Sequence, residues 1–84
     1  MTEKEAVEEM KRIHPKTCKM VNGRLQGGFD DHESESGIAF DIAIKAIEDE
    51  AVSKKLLEAA AEEIENLYGR DTELTIKIRD FLKA

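Results

Sequence analysis

The chain has 84 residues, of which 40% are hydrophobic and 38% are charged, and its formal net charge is −6. A chain of this length is expected to form one domain, residues 1–84, around a single small core. The acidic balance disfavours binding to nucleic acid and membranes, and no apolar run approaches the roughly 20 residues of a membrane span. The chain has one cysteine and an acidic N-terminus unlike a signal peptide, so we expect a cytoplasmic protein without an intramolecular disulfide.

The first predicted element is a helix over residues 2–14. Thr2 and Glu5 have the spacing of a capping box, in which each side chain accepts a hydrogen bond from the other residue's backbone N–H. Apolar side chains then recur every three or four positions, as they do along one face of a helix. Pro15 disfavours helical geometry at His14, so we expect the helix to end there.

A β-hairpin is predicted over residues 16–29. Asn22-Gly23 is typical of a two-residue type I′ turn, because both residue types tolerate positive φ. Gly27-Gly28 indicates a bulge or a close backbone contact in the second strand. Alternation on either side of the turn predicts a buried face that is formed by Cys18, Met20 and Leu25.

The apolar run over residues 37–49 fits two structures. With a period of two, residues 38–46 form a strand whose large side chains share one face: Ile38, Phe40, Ile42 and Ile44. With a period of 3.6, the run forms a helix whose polar side chains share a narrow face: Asp41, Lys45, Glu48 and Asp49. The periodicity of this run alone leaves both structures open.

The C-terminal part of the chain favours the strand. Residues 50–68 predict a helix with a broad apolar face, ended by Gly69. Residues 74–79 alternate between apolar and polar, which predicts a further strand that needs partners in a sheet. The expected fold is therefore α+β in the order α-β-β-β-α-β, a mainly antiparallel four-stranded sheet with two helices on one face. The alternative is a mostly α fold with one β-hairpin, in which residues 37–49 are helical.

Charge is distributed unevenly along the chain. Residues 11–29 contain five basic residues and no acidic residue, whereas residues 30–84 contain 15 acidic and seven basic residues. The five basic residues are Lys11, Arg12, Lys16, Lys19 and Arg24. They form a candidate patch for an anion or an acidic partner. A solvated hairpin surface is the competing interpretation, and no aromatic interleaving or nucleic-acid motif accompanies the basic residues.

The loop over residues 30–36 contains candidate metal ligands. Carboxylate oxygens suit hard cations such as Ca²⁺ and Mg²⁺, and the candidate ligands are Asp30, Asp31, His32 and Glu33. The residues that follow lack the glutamate that closes an EF-hand, so a solvated acidic turn is the competing interpretation. A second candidate set, for a transition metal, is His14, Cys18 and His32. Its spacing matches no zinc signature, and a buried cysteine with two surface histidines is the competing interpretation there.

These features favour a non-enzymatic interaction or regulatory module that self-associates, as a homodimer, or forms a subunit of a larger assembly. A core this small provides only about 3–5 kcal/mol by itself, and a small sheet leaves edge strands open to pairing. The alternative is a small cation- or anion-binding protein that uses the acidic loop at residues 30–36 or the basic hairpin at residues 16–24. We expect a protein partner, no cofactor and no catalytic residues, because nothing in the sequence brings a nucleophile and a base together.

Overall fold

Four α-helices and one β-hairpin make up the computed structural model of the protein, which describes residues 1–49 and 52–83. In chain order the elements are α1 (Glu3–Ile13), β1 (Lys16–Val21), β2 (Arg24–Asp30), α2 (Glu35–Asp49), α3 (Lys54–Tyr68) and α4 (Glu73–Lys83). Strands β1 and β2 pair antiparallel. Among the described helices, none has the length and apolar character that a membrane crossing requires.

The predicted four-stranded sheet is wrong, because residues 38–46 lie in α2 and residues 74–79 lie in α4. The alternative fits the structure: the fold is mostly helical with one hairpin, and residues 37–49 are helical. The order is α-β-β-α-α-α, so the core forms between helices rather than between a sheet and two helices.

Alanine accounts for the helical state of α2. Its buried residues follow a period of 3.6 and are Gly37, Ala39, Phe40, Ala43, Ala46 and Ile47. Alanine has the highest helix propensity, and its small side chain lets α2 pack closely on α3. The two-residue period depends on the isoleucines, yet Ile38 is 44% exposed. A prediction based only on the large apolar side chains therefore assigns the wrong buried face to this segment.

The alternation of large apolar residues is equally misleading in α4. Its buried and half-buried core residues lie on one helical face and are Leu74, Thr75, Ile78, Phe81 and Leu82. Ile76, which completes the apparent alternation, is 48% exposed. Thr72 precedes the helix and its Oγ1 accepts a hydrogen bond from the backbone N–H of Thr75 at 3.1 Å, which satisfies a donor at the helix N-terminus.

Helices α1 and α3 confirm two predicted elements. The capping box at Thr2 and Glu5 is present, with hydrogen bonds of 3.0 and 3.1 Å. α3 begins after the N-cap Ser53 and ends at Gly69, whose φ is 91°. Residues 50 and 51, which the predicted helix also included, lie outside the described residues.

The hairpin confirms its predicted turn and bulge. Asn22 and Gly23 have φ values of 51° and 78°, as a type I′ turn requires. The strand register shifts around Cys18, opposite the Gly27-Gly28 pair. Gly28 has a φ of 86°, which a side chain would strain.

The predicted burial of one hairpin face is wrong. Met20 and Leu25 are 66% and 69% exposed, and Cys18 is also exposed. The hairpin packs on itself and projects from the helices as an arm, which we define as residues 16–30. The sheet that would cover this face does not form, because residues 38–46 and 74–79 are helical. A two-stranded hairpin of this kind is marginally stable by itself in water.

A half-buried ion pair joins α3 to α4. The Nε and Nη2 atoms of Arg79 donate to the two carboxylate oxygens of Glu65 at 3.0 and 2.6 Å. The Glu65 side chain is only 5% exposed. The hydrogen bond from Arg79 is the main cause that holds the pKa of Glu65 below its ordinary value.

We expect Glu65→Gln to lower the free energy of unfolding by about 1–3 kcal/mol at neutral pH, because Arg79 loses its charged partner. The lowered pKa means that the ion pair stabilises fully above the pKa of an unfolded glutamate, near 4.5, and that this stabilisation is lost as the pH falls through the lower folded pKa. Urea denaturation at neutral and acidic pH measures both effects. Glu63→Gln is the control, since Glu63 has no ion-pair partner among the described residues. Equal stability of Glu65→Gln and the wild type at neutral pH would contradict this account.

Candidate functional site

Three side chains converge where the arm joins the helices, and we call them the His–Asp–His cluster: His14, His32 and Asp41. His14 Nε2 donates to Asp41 Oδ1 at 2.8 Å. His32 Nδ1 donates to Asp41 Oδ2 at 2.7 Å. The two imidazole rings lie 5.2 Å apart between centroids. One carboxylate therefore connects two histidines that are 18 positions apart in sequence.

Each member of the cluster is held by a different part of the chain. His14 is the C-cap of α1, directly before the arm. His32 follows the arm, and Asp41 lies in α2 on the side opposite the alanines. The base of the arm is closed by a hydrogen bond of 2.8 Å from the backbone N–H of Asp31 to the carbonyl of Pro15. The cluster is thus built from both ends of the arm and from the helix that packs beside them.

His14 is buried, with 3% of its surface exposed. Its Nδ1 donates to the carbonyl oxygen of Pro15 at 2.9 Å, and its Nε2 faces the Asp41 carboxylate. Burial by itself would lower the pKa of His14, but the hydrogen bonds to Pro15 and Asp41 and the charge of Asp41 outweigh burial and raise it. The Pro15 carbonyl and the Asp41 carboxylate can only accept hydrogen bonds, so both ring nitrogens of His14 donate. These surroundings favour the doubly protonated, cationic imidazole.

The predicted metal ligands of the acidic loop have different surroundings. Asp30 forms an ion pair with Lys16 across the arm. Asp31 Oδ1 accepts backbone hydrogen bonds from Glu33 and Ser34 at 3.0 and 3.1 Å, in the turn that leads into α2. Of the four predicted ligands, His32 alone belongs to the three-residue cluster.

The second predicted set is brought together only in part. His14 and His32 are neighbours, but Cys18 is not among the three clustered ligands of the described chain. Cys18 lies nearby, in a depression of about 260 Å³ that is lined by residues 17–19 and 30–33. Sequence reasoning missed Asp41, although the helical alternative for residues 37–49 put it on a polar face.

The five predicted patch residues divide into two groups. Lys11 and Arg12 lie at the end of α1 and pair with Glu48 and Glu9. Lys16, Lys19 and Arg24 lie on the arm, where Lys16 pairs with Asp30 and the Lys19 ammonium lies 5.5 Å from the centroid of the Phe29 ring. Within residues 1–49 and 52–83, Lys19 and Arg24 have no ion-pair partner.

The two faces of the arm differ in chemistry. Met20 pairs with Leu25 across the strands, and this exposed apolar pair is the second pair from the turn. The opposite face carries Lys19 and Arg24, since side chains alternate along each strand. The tip of the arm is therefore apolar on one face and basic on the other.

The helical body has an apolar groove between α2 and the start of α3. It encloses about 350 Å³ and is lined by Ile38, Asp41, Ile42, Lys45, Val52, Ser53 and Leu56. Ile38 and Leu56 are 44% and 52% exposed. Two acidic residues of α2, Glu35 and Asp49, lie beyond the two ends of the groove. Glu35 is three residues before Ile38 and Asp49 is four residues after Lys45, so they share the helix face that lines the groove.

The chain matches no protein-family model, no curated protein and no solved structure.

We expect Asp41→Ala to destabilise the protein by about 1–3 kcal/mol, because His14 Nε2 would be buried without a partner. Thermal or urea denaturation at neutral pH measures the change. Glu33→Ala is the matched control, since Glu33 is an exposed acid of the neighbouring loop and surface substitutions usually change stability by less than about 0.5 kcal/mol. An Asp41→Ala protein as stable as Glu33→Ala would show that the cluster does not stabilise the base of the arm.

Proposed function

We propose that this protein is a non-enzymatic interaction module that self-associates, with the arm of one copy lying in the α2–α3 groove of a second copy. The observation that carries the proposal is the exposure of Met20 and Leu25, at 66% and 69%, at the tip of a projecting arm. Exposed apolar side chains that are adjacent and surrounded by polar residues are typical of interaction surfaces.

Apolar surface on the helical body matches the apolar face of the arm. Ile38 and Leu56 line the groove and are about half exposed. Burying two large side chains against them would contribute roughly 1.5–3 kcal/mol for each fully buried side chain. Binding in the groove would also remove from water the hairpin face that carries Met20 and Leu25, which the helices of the same chain do not cover.

Charge complementarity favours a second copy as the occupant. The arm lies in a chain segment with basic residues and no acid up to Phe29, whereas the chain from Asp30 onward has 15 acidic and seven basic residues. Lys19 and Arg24 have no ion-pair partner among the described residues, and they lie on the face of the arm opposite Met20 and Leu25, so the acidic body of a second copy attracts them without a direct contact in the groove. Copies of a chain with a net charge of −6 repel each other overall. Contact through the basic arm reduces this repulsion, because it brings the one basic segment close to the acidic part of the other copy.

The dimensions suit a reciprocal dimer. Strands of six and seven residues make an arm about 20 Å long, and the two shorter dimensions of the molecule are 22 and 23 Å. In a twofold dimer each copy both supplies an arm and receives one, so every contact occurs twice. Two such contacts increase the buried area toward the roughly 1,200–2,000 Å² of a stable interface.

We expect light scattering at tens of micromolar to give twice the 9.5 kDa chain mass. The double variant Met20→Gln/Leu25→Gln should raise the dimer dissociation constant at least about tenfold, a loss of roughly 1.4 kcal/mol. Leu56→Gln in the groove should act in the same direction, because it replaces apolar surface that the arm would cover.

Ile76→Gln is the control, because Ile76 is an exposed residue of α4 outside the groove. A monomeric wild type at tens of micromolar would contradict self-association, and the arm would then have another occupant. A dimer that Ile76→Gln weakens as much as the arm variant does would exclude the arm-to-groove arrangement.

A further inference from the structure

We propose that the His–Asp–His cluster binds one divalent transition-metal ion, with Zn²⁺ as the reference ion, at the base of the arm. The cluster and the α2–α3 groove share one residue, Asp41, whereas His14 and His32 lie at the base of the arm and outside the groove lining. The proposed metal site rests on the positions of His14, His32 and Asp41 and not on the proposed self-association.

The donor set suits such an ion. Two imidazoles and one carboxylate are ligands of Zn²⁺ and of non-haem Fe²⁺, whereas Ca²⁺ and Mg²⁺ prefer oxygen donors alone. One ligand atom from each residue lies within 4.8 Å of the others. Three protein ligands leave the fourth tetrahedral position open to water or to another ligand.

The partner of His14 orients the ring for this role. A metal-ligating histidine commonly donates its second ring N–H to a backbone carbonyl or a carboxylate, which fixes the tautomer. His14 Nδ1 donates in this way to Pro15 at 2.9 Å, and the arrangement leaves Nε2 directed at Asp41. A metal ion would replace the Nε2 proton as the positive charge beside the carboxylate.

Zn²⁺ binding would require the three side chains to adjust their separations. The ligand atoms of His14 and His32 lie 2.8 and 2.7 Å from the oxygens of Asp41. Tetrahedral Zn²⁺ with bonds of about 2.0–2.1 Å separates its ligand atoms by roughly 3.3 Å. Each His–Asp contact must therefore open by about half an ångström, and the two histidine nitrogens, which lie within 4.8 Å of each other, must settle at the same separation. The His32 side chain is 59% exposed and can make this adjustment without displacing the core.

Metal binding would tie together three parts of the chain. His14 ends α1, His32 follows the arm, and Asp41 belongs to α2. An ion held by all three would restrict how the arm is oriented relative to the helices. Because the ion binds the folded arrangement, it would also raise the melting temperature.

The test is a calorimetric titration of ZnCl₂ into tag-free, chelator-treated protein, combined with thermal denaturation. We expect one Zn²⁺ per chain, and a melting temperature raised by roughly 10 °C or more at a free Zn²⁺ concentration of about 100 times Kd. His32→Gln and Asp41→Asn should each weaken Zn²⁺ binding at least about tenfold. His32→Gln keeps the test valid if Asp41→Asn fails to fold, because His32 is exposed.

Two control variants separate this site from the other candidate ligands. Glu33→Gln removes a carboxylate of the acidic loop and Cys18→Ser removes the nearby thiol. Both should keep the affinity within about twofold, because neither side chain belongs to the three clustered ligands. The proposal is overturned if the wild type shows no saturable Zn²⁺ binding below millimolar concentration. It is also overturned if either control variant loses as much affinity as His32→Gln.

Discussion

The close packing of α2 on α3 through alanine is the constraint on which the rest of the structure depends. Ala39, Ala43 and Ala46 are buried on one side of α2 only because residues 35–49 form a helix. The helical period then directs Phe40 into the core and turns Asp41 away from it, toward His14. Helix packing in the core therefore fixes the position of the one carboxylate that both histidines contact.

The arm and the groove follow from the same packing. Because the helices bury their faces against each other, no described sheet covers the hairpin, and its apolar pair stays in water. Ile38 and the half-buried Ile42 of α2 line the groove beside Leu56. The self-association and metal-binding proposals thus use the two ends of one projecting element, its tip and its base.

Structure that depends on neighbouring residues could be predicted from the sequence. The capping box of α1 and the Asn22-Gly23 turn are set by local hydrogen bonds and by φ preferences, and both are present. The helical state of α2 and α4 could not be predicted in this way, because alternating large apolar residues favour a strand in both segments, whereas the packing that makes each a helix involves residues distant in sequence. The His–Asp–His cluster could not be predicted for the same reason. His32 is among the predicted ligands, but Asp41 becomes its neighbour only when α2 is helical.

Isotope-filtered NOE spectroscopy on a mixture of labelled and unlabelled chains tests the arm-to-groove contact most directly. The account predicts intermolecular NOEs between the Met20 methyl group of one copy and the Ile38 or Leu56 methyl groups of the other, since these side chains are exposed in the single chain and apposed in the dimer. Met20 NOEs confined to the arm of its own chain, at concentrations where light scattering reports a dimer, would contradict it.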